Sequence, residues 1–204
     1  MCFDNAQQGW LGAAGVLYRS SDGGRLWVLV TAGAKPPSPR ATALMIVQCA
    51  GPESAWALAV GPGAAMSQEP HIGYYAGPAG AVPLFAEQYF PHPGVIVQTS
   101  SPGSYAGPIS SISAASAAFL DWCAACGAGT VPWDLVTGSG TAVIREGNVG
   151  GQLTQAESAS FLSARLGWVV GVVTRYRGSA PPRQFQRIVR TSDGGSGWRV
   201  LYTS

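Results

Sequence analysis

Short apolar runs, each broken by glycine, proline, serine or aspartate, recur along the whole chain. They include Gly15-Val16-Leu17-Tyr18, Val28-Leu29-Val30, Ala55-Trp56-Ala57-Leu58, Ile72-Gly73-Tyr74-Tyr75, Asp134-Leu135-Val136, Phe185-Gln186-Arg187-Ile188-Val189 and Val200-Leu201-Tyr202. Runs of this length, rich in β-branched and aromatic residues and bounded by turn formers, read as strands joined by tight turns.

The runs are organised into repeats. Phe3 precedes Gly9-Trp10, a strand, the turn Ser20-Ser21-Asp22-Gly23-Gly24-Arg25-Leu26-Trp27 and a last strand. Phe161 precedes Gly167-Trp168 in the same way, followed by Thr191-Ser192-Asp193-Gly194-Gly195-Ser196-Gly197-Trp198 and Arg199-Val200-Leu201-Tyr202. Weaker copies lie between them. Cys49 stands seven before Trp56, with a turn at Gly77-Pro78-Ala79-Gly80, and Ile112 stands seven before Phe119, with a turn at Thr137-Gly138-Ser139-Gly140-Thr141. Trp10, Trp56, Phe119 and Trp168 are thus spaced by 46, 63 and 49 residues. A period near 40 to 50 residues points to propeller blades, and each copy can hold four short strands. The predicted fold is all-β, one β-propeller region over residues 1–204, with four four-stranded antiparallel blades at about 1–34, 43–90, 109–147 and 156–204. The four aromatics are expected at equivalent places, as blade-to-blade core rather than as sugar-stacking platforms.

The octapeptide turn has a physical logic. An Asp carboxylate and a Ser or Thr hydroxyl can accept backbone N–H bonds inside the turn, glycine supplies the positive φ, and the Trp packs back on the blade. Ser20 to Trp27 and Thr191 to Trp198 closely resemble the Asp-box, or BNR repeat, with Leu26 and Gly197 standing where the pattern has Thr. The phrasing of the two strong copies is similar to bacterial Asp-box proteins related to photosystem II assembly and stability factors. It is less like sialidases, sortilin-type receptors and xyloglucanases. The resemblance implies that Ser20, Asp22, Gly24, Trp27, Thr191, Asp193, Gly195 and Trp198 are structural, on the rim away from a central site. It also implies six or more blades, so the chain is expected to be a fragment of a larger propeller whose open blade edges could self-associate.

Net charge is only +2 and charged residues are 11%, so no global field draws the chain to nucleic acid or an acidic membrane. No apolar run reaches the length of a membrane span, and the first residues lack the basic and apolar regions of a signal peptide. Compartment is left open, an exported parent protein being compatible with a fragment. Cys123 and Cys126 follow Trp122 as in thioredoxin-like enzymes, but Gly127 to Pro132 cannot start the helix that would activate a thiol. They are expected to be a loop disulfide in an exported protein or inert thiols in a cytosolic one. Cys2, Cys49, His71 and His92 have no metal-ligand spacing, so neither metal nor cofactor is expected.

Sialidase chemistry would require an arginine triad, a Tyr nucleophile with its Glu, and an Asp acid/base. The family's Arg-Ile-Pro string is missing, and Arg187-Ile188-Val189 is the nearest to it. The expected function is a non-catalytic module binding a protein or carbohydrate, with part of a sialidase-like or other glycoside hydrolase propeller as the alternative. Binding is expected where strands two and three join, on a semi-rigid basic loop from Arg175 to Arg183 and the matching loop of blade two. The candidates are Glu69, His71, Tyr176, Arg177 and Arg183.

Overall fold

The computed structural model describes residues 1–13, 16–30, 44–51, 53–60, 71–77, 80–87, 104–123, 132–137, 142–149 and 152–204, and every regular element among them is a strand. Blade one is β1 (Cys2–Phe3), β2 (Gly9–Ala13), β3 (Val16–Ser20) and β4 (Val28–Val30). Blade two is β5 (Leu44–Gly51), β6 (Ser54–Val60), β7 (His71–Gly77) and β8 (Gly80–Glu87). Blade three is β9 (Ser104–Ser113), β10 (Ser116–Cys123), β11 (Pro132–Thr137) and β12 (Ala142–Asn148). Blade four is β13 (Gln155–Phe161), β14 (Gly167–Arg177), β15 (Ala180–Thr191) and β16 (Arg199–Thr203). Each blade is an antiparallel meander with its strands in chain order, and successive blades pack face to face through their first two strands.

The motif of an aromatic followed by Gly-Trp is explained by pairing. Phe3 lies opposite Gly9 and Phe161 opposite Gly167. In both, a Cβ on the glycine would collide with the ring of the phenylalanine, so the ring lies flat over bare backbone. The same ring then meets the Trp of the octapeptide turn edge-on, Phe3 with Trp27 at 5.9 Å and Phe161 with Trp198 at 6.4 Å. Blade two reaches the same fit with a smaller pair, Cys49 opposite Ala55.

Because side chains alternate across a strand, each inner blade offers one face to the blade before it and one to the blade after it. Trp10 and Leu17 pack on Val47, Ala55 and Ala57 of blade two, whose Trp56 and Leu58 turn the other way onto Ile109, Ala117 and Phe119 of blade three. Ala118 and Leu120 then meet Phe161, Val169 and Val189 of blade four. Trp10 and Trp56 are fully buried and Phe119 nearly so.

This alternation corrects one expectation. Trp10, Trp56 and Trp168 lie opposite Cys2, Gln48 and Ser160, and the residue so placed in blade three is Ala118, opposite Ser110. Phe119 looks back toward blade two, its ring 6.3 Å from that of Trp56. Ile112 and Thr137 are one residue out as well, since Ala117, matching Gly9, lies opposite Ser111 and Val136. A slip of one residue exchanges the faces of a strand, and the bulky Phe119 drew the register to itself.

The blade junctions share a further device. The residue opposite the tryptophan position reaches the next blade at the residue opposite its small position. At the first junction this is a disulfide, Cys2 to Cys49, with Cα atoms 5.7 Å apart. At the second, the Ser111 N–H donates to Gln48 Oε1 at 2.7 Å. At the third, the Phe161 N–H donates to Ser110 Oγ at 2.7 Å. Three different chemistries therefore serve one pair of positions.

Candidate functional site

The two octapeptide turns are closed on themselves. Ser20 Oγ donates to Asp22 Oδ1 at 2.8 Å and accepts from the Gly24 N–H at 2.8 Å, while Asp22 Oδ1 accepts from the N–H groups of Arg25 and Leu26, both at 3.0 Å. Thr191, Asp193, Gly195 and Gly197 repeat the pattern at 2.9, 2.8 and 3.0 Å. The position where Leu26 and Gly197 replace threonine contributes only its backbone N–H, so the substitution leaves the bond in place. Positive φ at Gly23, Gly24, Gly194 and Gly195 (76°, 85°, 77° and 83°) is a conformation that side chains disfavour. The turns are also anchored to the first hairpin of their own blades, the Gly23 N–H donating to the Gln7 carbonyl and the Gly194 N–H to that of Arg165.

These bonds hold both carboxyls below the ordinary value of 3.8. The main cause is the N–H of Leu26 for Asp22 and of Gly197 for Asp193, followed by the Ser20 and Thr191 hydroxyls. The unfolded chain therefore takes up these protons at a higher pH than the folded one. The stability the carboxylates contribute is complete above the ordinary value and is lost as pH falls through the depressed folded values. Thermal melts across an acid series should show a falling Tm below about pH 4, with a shallower fall in the Asp22→Asn/Asp193→Asn double variant. An unchanged acid slope in that variant would assign the loss to other carboxyls.

At the far end of blade four, the segment expected as a loop is a hairpin. β14 runs on to Arg177 and β15 starts at Ala180, with Arg175 opposite Arg183 and Arg177 opposite Ala180. Pro181 and Pro182 suggested a break, yet they fall where the register shifts, a place in a ladder that tolerates a missing N–H. Pairing with β13 stops at Val172 and with β16 at Arg187, so the hairpin extends past both neighbours as a two-stranded arm. Arg175, Arg177 and Arg183 are exposed on it and no acidic residue lies between Arg175 and Gln186. The Arg175 guanidinium lies 5.5 Å from the centre of the Phe185 ring, and Tyr176 at the tip is 79% exposed. The twelve residues of β15 place the arm tip roughly 35–40 Å from the octapeptide turn.

The structure gathers Tyr176, Arg177 and Arg183 on this arm. His71 opens β7, opposite Val60 and Glu87, on a different blade. Glu69 and Cys126 lie outside the described residues, and Cys123 ends β10 opposite Ser104. Arg187 is buried beneath the link between blades three and four, donating to the Gln152 carbonyl at 2.8 Å and to Thr203 Oγ1 at 3.2 Å, so it braces the fold.

Sequence reasoning missed a groove of about 520 Å³ between the first strands of blades two, three and four. Ile46, Gln48, Pro108, Ile109 and Gln155 line it, with Glu157 as its one carboxylate among the described residues. Its lining comes from three blades and its polar side chains from blades two and four, and no local spacing in the chain reports that. The signal available was the period itself, which brings the first strand of every repeat to one place.

No family model matches the chain, and a search of curated proteins found no match. Among solved structures the chain is similar to the GH74 enzyme of Niastella koreensis, with a TM-score of 0.51, 10% identity and coverage of 98% of this chain. The chain spans 42% of that enzyme's length. Two others are YCF48 bound to D1 peptide (TM-score 0.42, 12% identity, 97% of this chain and 78% of that one) and the GH93 alpha-L-arabinofuranosidase of Fusarium graminearum with arabinobiose (TM-score 0.45, 9% identity, 91% and 58%). The likeness to the GH74 enzyme supports a propeller fold, and at 10% identity it shows the fold alone.

Proposed function

We propose that this chain is a binding module of an Asp-box β-propeller, and that the arm formed by β14 and β15 receives a partner bearing carboxylates, most simply an acidic protein segment. The single observation behind this reading is the arm's composition and reach: three exposed arginines and an exposed tyrosine on a ribbon that runs past its neighbouring strands among the described residues. Guanidinium groups pair with carboxylates bidentately, and an exposed tyrosine adds contact area at low entropic cost. The octapeptide turns are poor candidates by comparison, because Asp22 and Asp193 each commit Oδ1 to the backbone of their own turn.

The alternative, part of a glycoside hydrolase, draws on the groove and on Glu157. Hydrolysis of a glycosidic bond calls for two carboxyl groups, and the described lining supplies one.

A fluorescent peptide of alternating glutamate and tyrosine should bind the parent chain and lose affinity as salt rises. Changing Tyr176, Arg177 and Arg183 together to alanine should weaken binding by about tenfold or more. A folded triple variant that binds like the parent, with binding abolished by changes at Asp22 or Asp193, would overturn the assignment. Stronger binding of an oligogalacturonate at the same arm would redirect the partner from protein to charged sugar.

A further inference from the structure

We infer that the outer face of blade four docks onto the outer face of blade one of a second copy, in the geometry of the internal blade junctions. The partner surface is not an open strand edge but a blade face.

Every internal junction joins a face carrying the tryptophan position to the opposite face of the next blade. Blade four has the first kind of face, and among the described residues its main contacts with other blades run through β9 and β10 of blade three, on its other side. Trp168 is half-exposed there, whereas its counterparts Trp10 and Trp56 are fully buried. Arg190 lies 5.7 Å from the centre of the Trp168 ring, and Arg19 lies at the same 5.7 Å from that of Trp10. At the first junction Arg19 goes on to pair with Glu53 of blade two at 2.9 Å, whereas Arg190 has no such ion pair among the described residues.

Blade one carries the matching face. Phe3, Leu11 and Tyr18 occupy the positions held in blade four by Phe161, Val169 and Val189, through the pairs Phe3 with Gly9 and Leu11 with Tyr18. In blade four these three are 3%, 0% and 0% exposed under blade three, while Phe3 is 43% exposed and Leu11 and Tyr18 are half-buried.

The junction position pair supplies the chemical match. At the third junction a serine, Ser110, accepts the N–H of a phenylalanine, Phe161. At the proposed junction the same two places hold Ser160, opposite Trp168, and Phe3, opposite Gly9. The open faces thus carry the same serine and phenylalanine pair whose bond closes blade three on blade four. Since one face meets a different one, the contact is head-to-tail, and it builds closed rings or open chains according to the rotation per copy.

The test is sedimentation velocity on the folded 204-residue chain, whose monomer weighs 21.0 kDa. Mass should rise with concentration. Trp168→Glu and Leu11→Glu should each sediment as monomers, because a buried unpaired carboxylate is costly on either face. Mixed in equal amounts, the two variants should form a dimer and nothing larger, each supplying the face the other lacks. Ser160→Cys mixed with Phe3→Cys should yield a mixed covalent dimer on oxidation, as Cys2 and Cys49 do within the chain. A parent that stays monomeric at every concentration, or variants that fail to complement while their circular dichroism matches the parent, would overturn the inference. So would a bridge formed within one chain by the Ser160→Cys/Phe3→Cys double variant. None of these outcomes depends on the arm, so the proposed binding activity stands or falls separately.

Discussion

Trp56→Ala should destabilise the chain by about 3–5 kcal/mol, the range for removing a large buried aromatic. Trp56 is wholly buried at the middle junction, 4.9 Å from the Tyr75 ring and 6.3 Å from that of Phe119. Its indole N–H donates to the Ser113 carbonyl of blade three at 2.8 Å. Truncation leaves a cavity and removes that carbonyl's donor together, and both effects fall on the junction holding blades one and two against three and four. Trp168→Ala, at a half-exposed position, should cost far less. Urea unfolding of both variants makes the comparison. Equal losses would mean that the middle junction is no more important to the fold than the outer face of blade four.

The second large effect is expected from the disulfide. The bridge between Cys2 and Cys49 closes a loop with a sequence separation of 47. By the chain-entropy relation a loop of that length is worth about 4 kcal/mol. Cys2→Ser/Cys49→Ser should therefore lower the urea midpoint strongly, and reductant should bring the parent chain to the same midpoint while leaving the variant unchanged. If the reduced parent, with its thiols counted as free, melted where the oxidised one does, the bridge would contribute nothing to the fold.

The disulfide also shows where the sequence ceased to be legible. Cys49 falls at the place of Phe3 in the repeat, and from the sequence its thiol and that of Cys2 are tested for metal-ligand spacing, not as a bridge. The usable signal was the separation: 47 residues is one more than the 46 from Trp10 to Trp56. Two cysteines about one repeat apart lie on adjoining first strands. Blades one and four were legible because backbone constraints wrote them. A ring over bare glycine and a turn needing positive φ admit few residues, so the spelling survives. Blade three pairs Ala117 with Ser111 in place of a glycine under a ring, and hydrophobicity alone cannot tell the two faces of a strand apart when both are buried, hence the misplacement of Phe119. The arm was hidden by its prolines, which mark loops unless a ladder is already irregular where they fall. The groove was out of reach for a different reason, since three blades compose it.

Among the described residues blade one is the slightest unit, with strands of two, five, five and three residues. Small units of a repeat array, with few contacts of their own, open first. Held by its bridge, blade one can detach from blade two without diffusing away, and its return is governed by an effective concentration that a short tether keeps high. The only covalent cross-link among the described residues thus turns separation of the slightest blade into a local and self-reversing event.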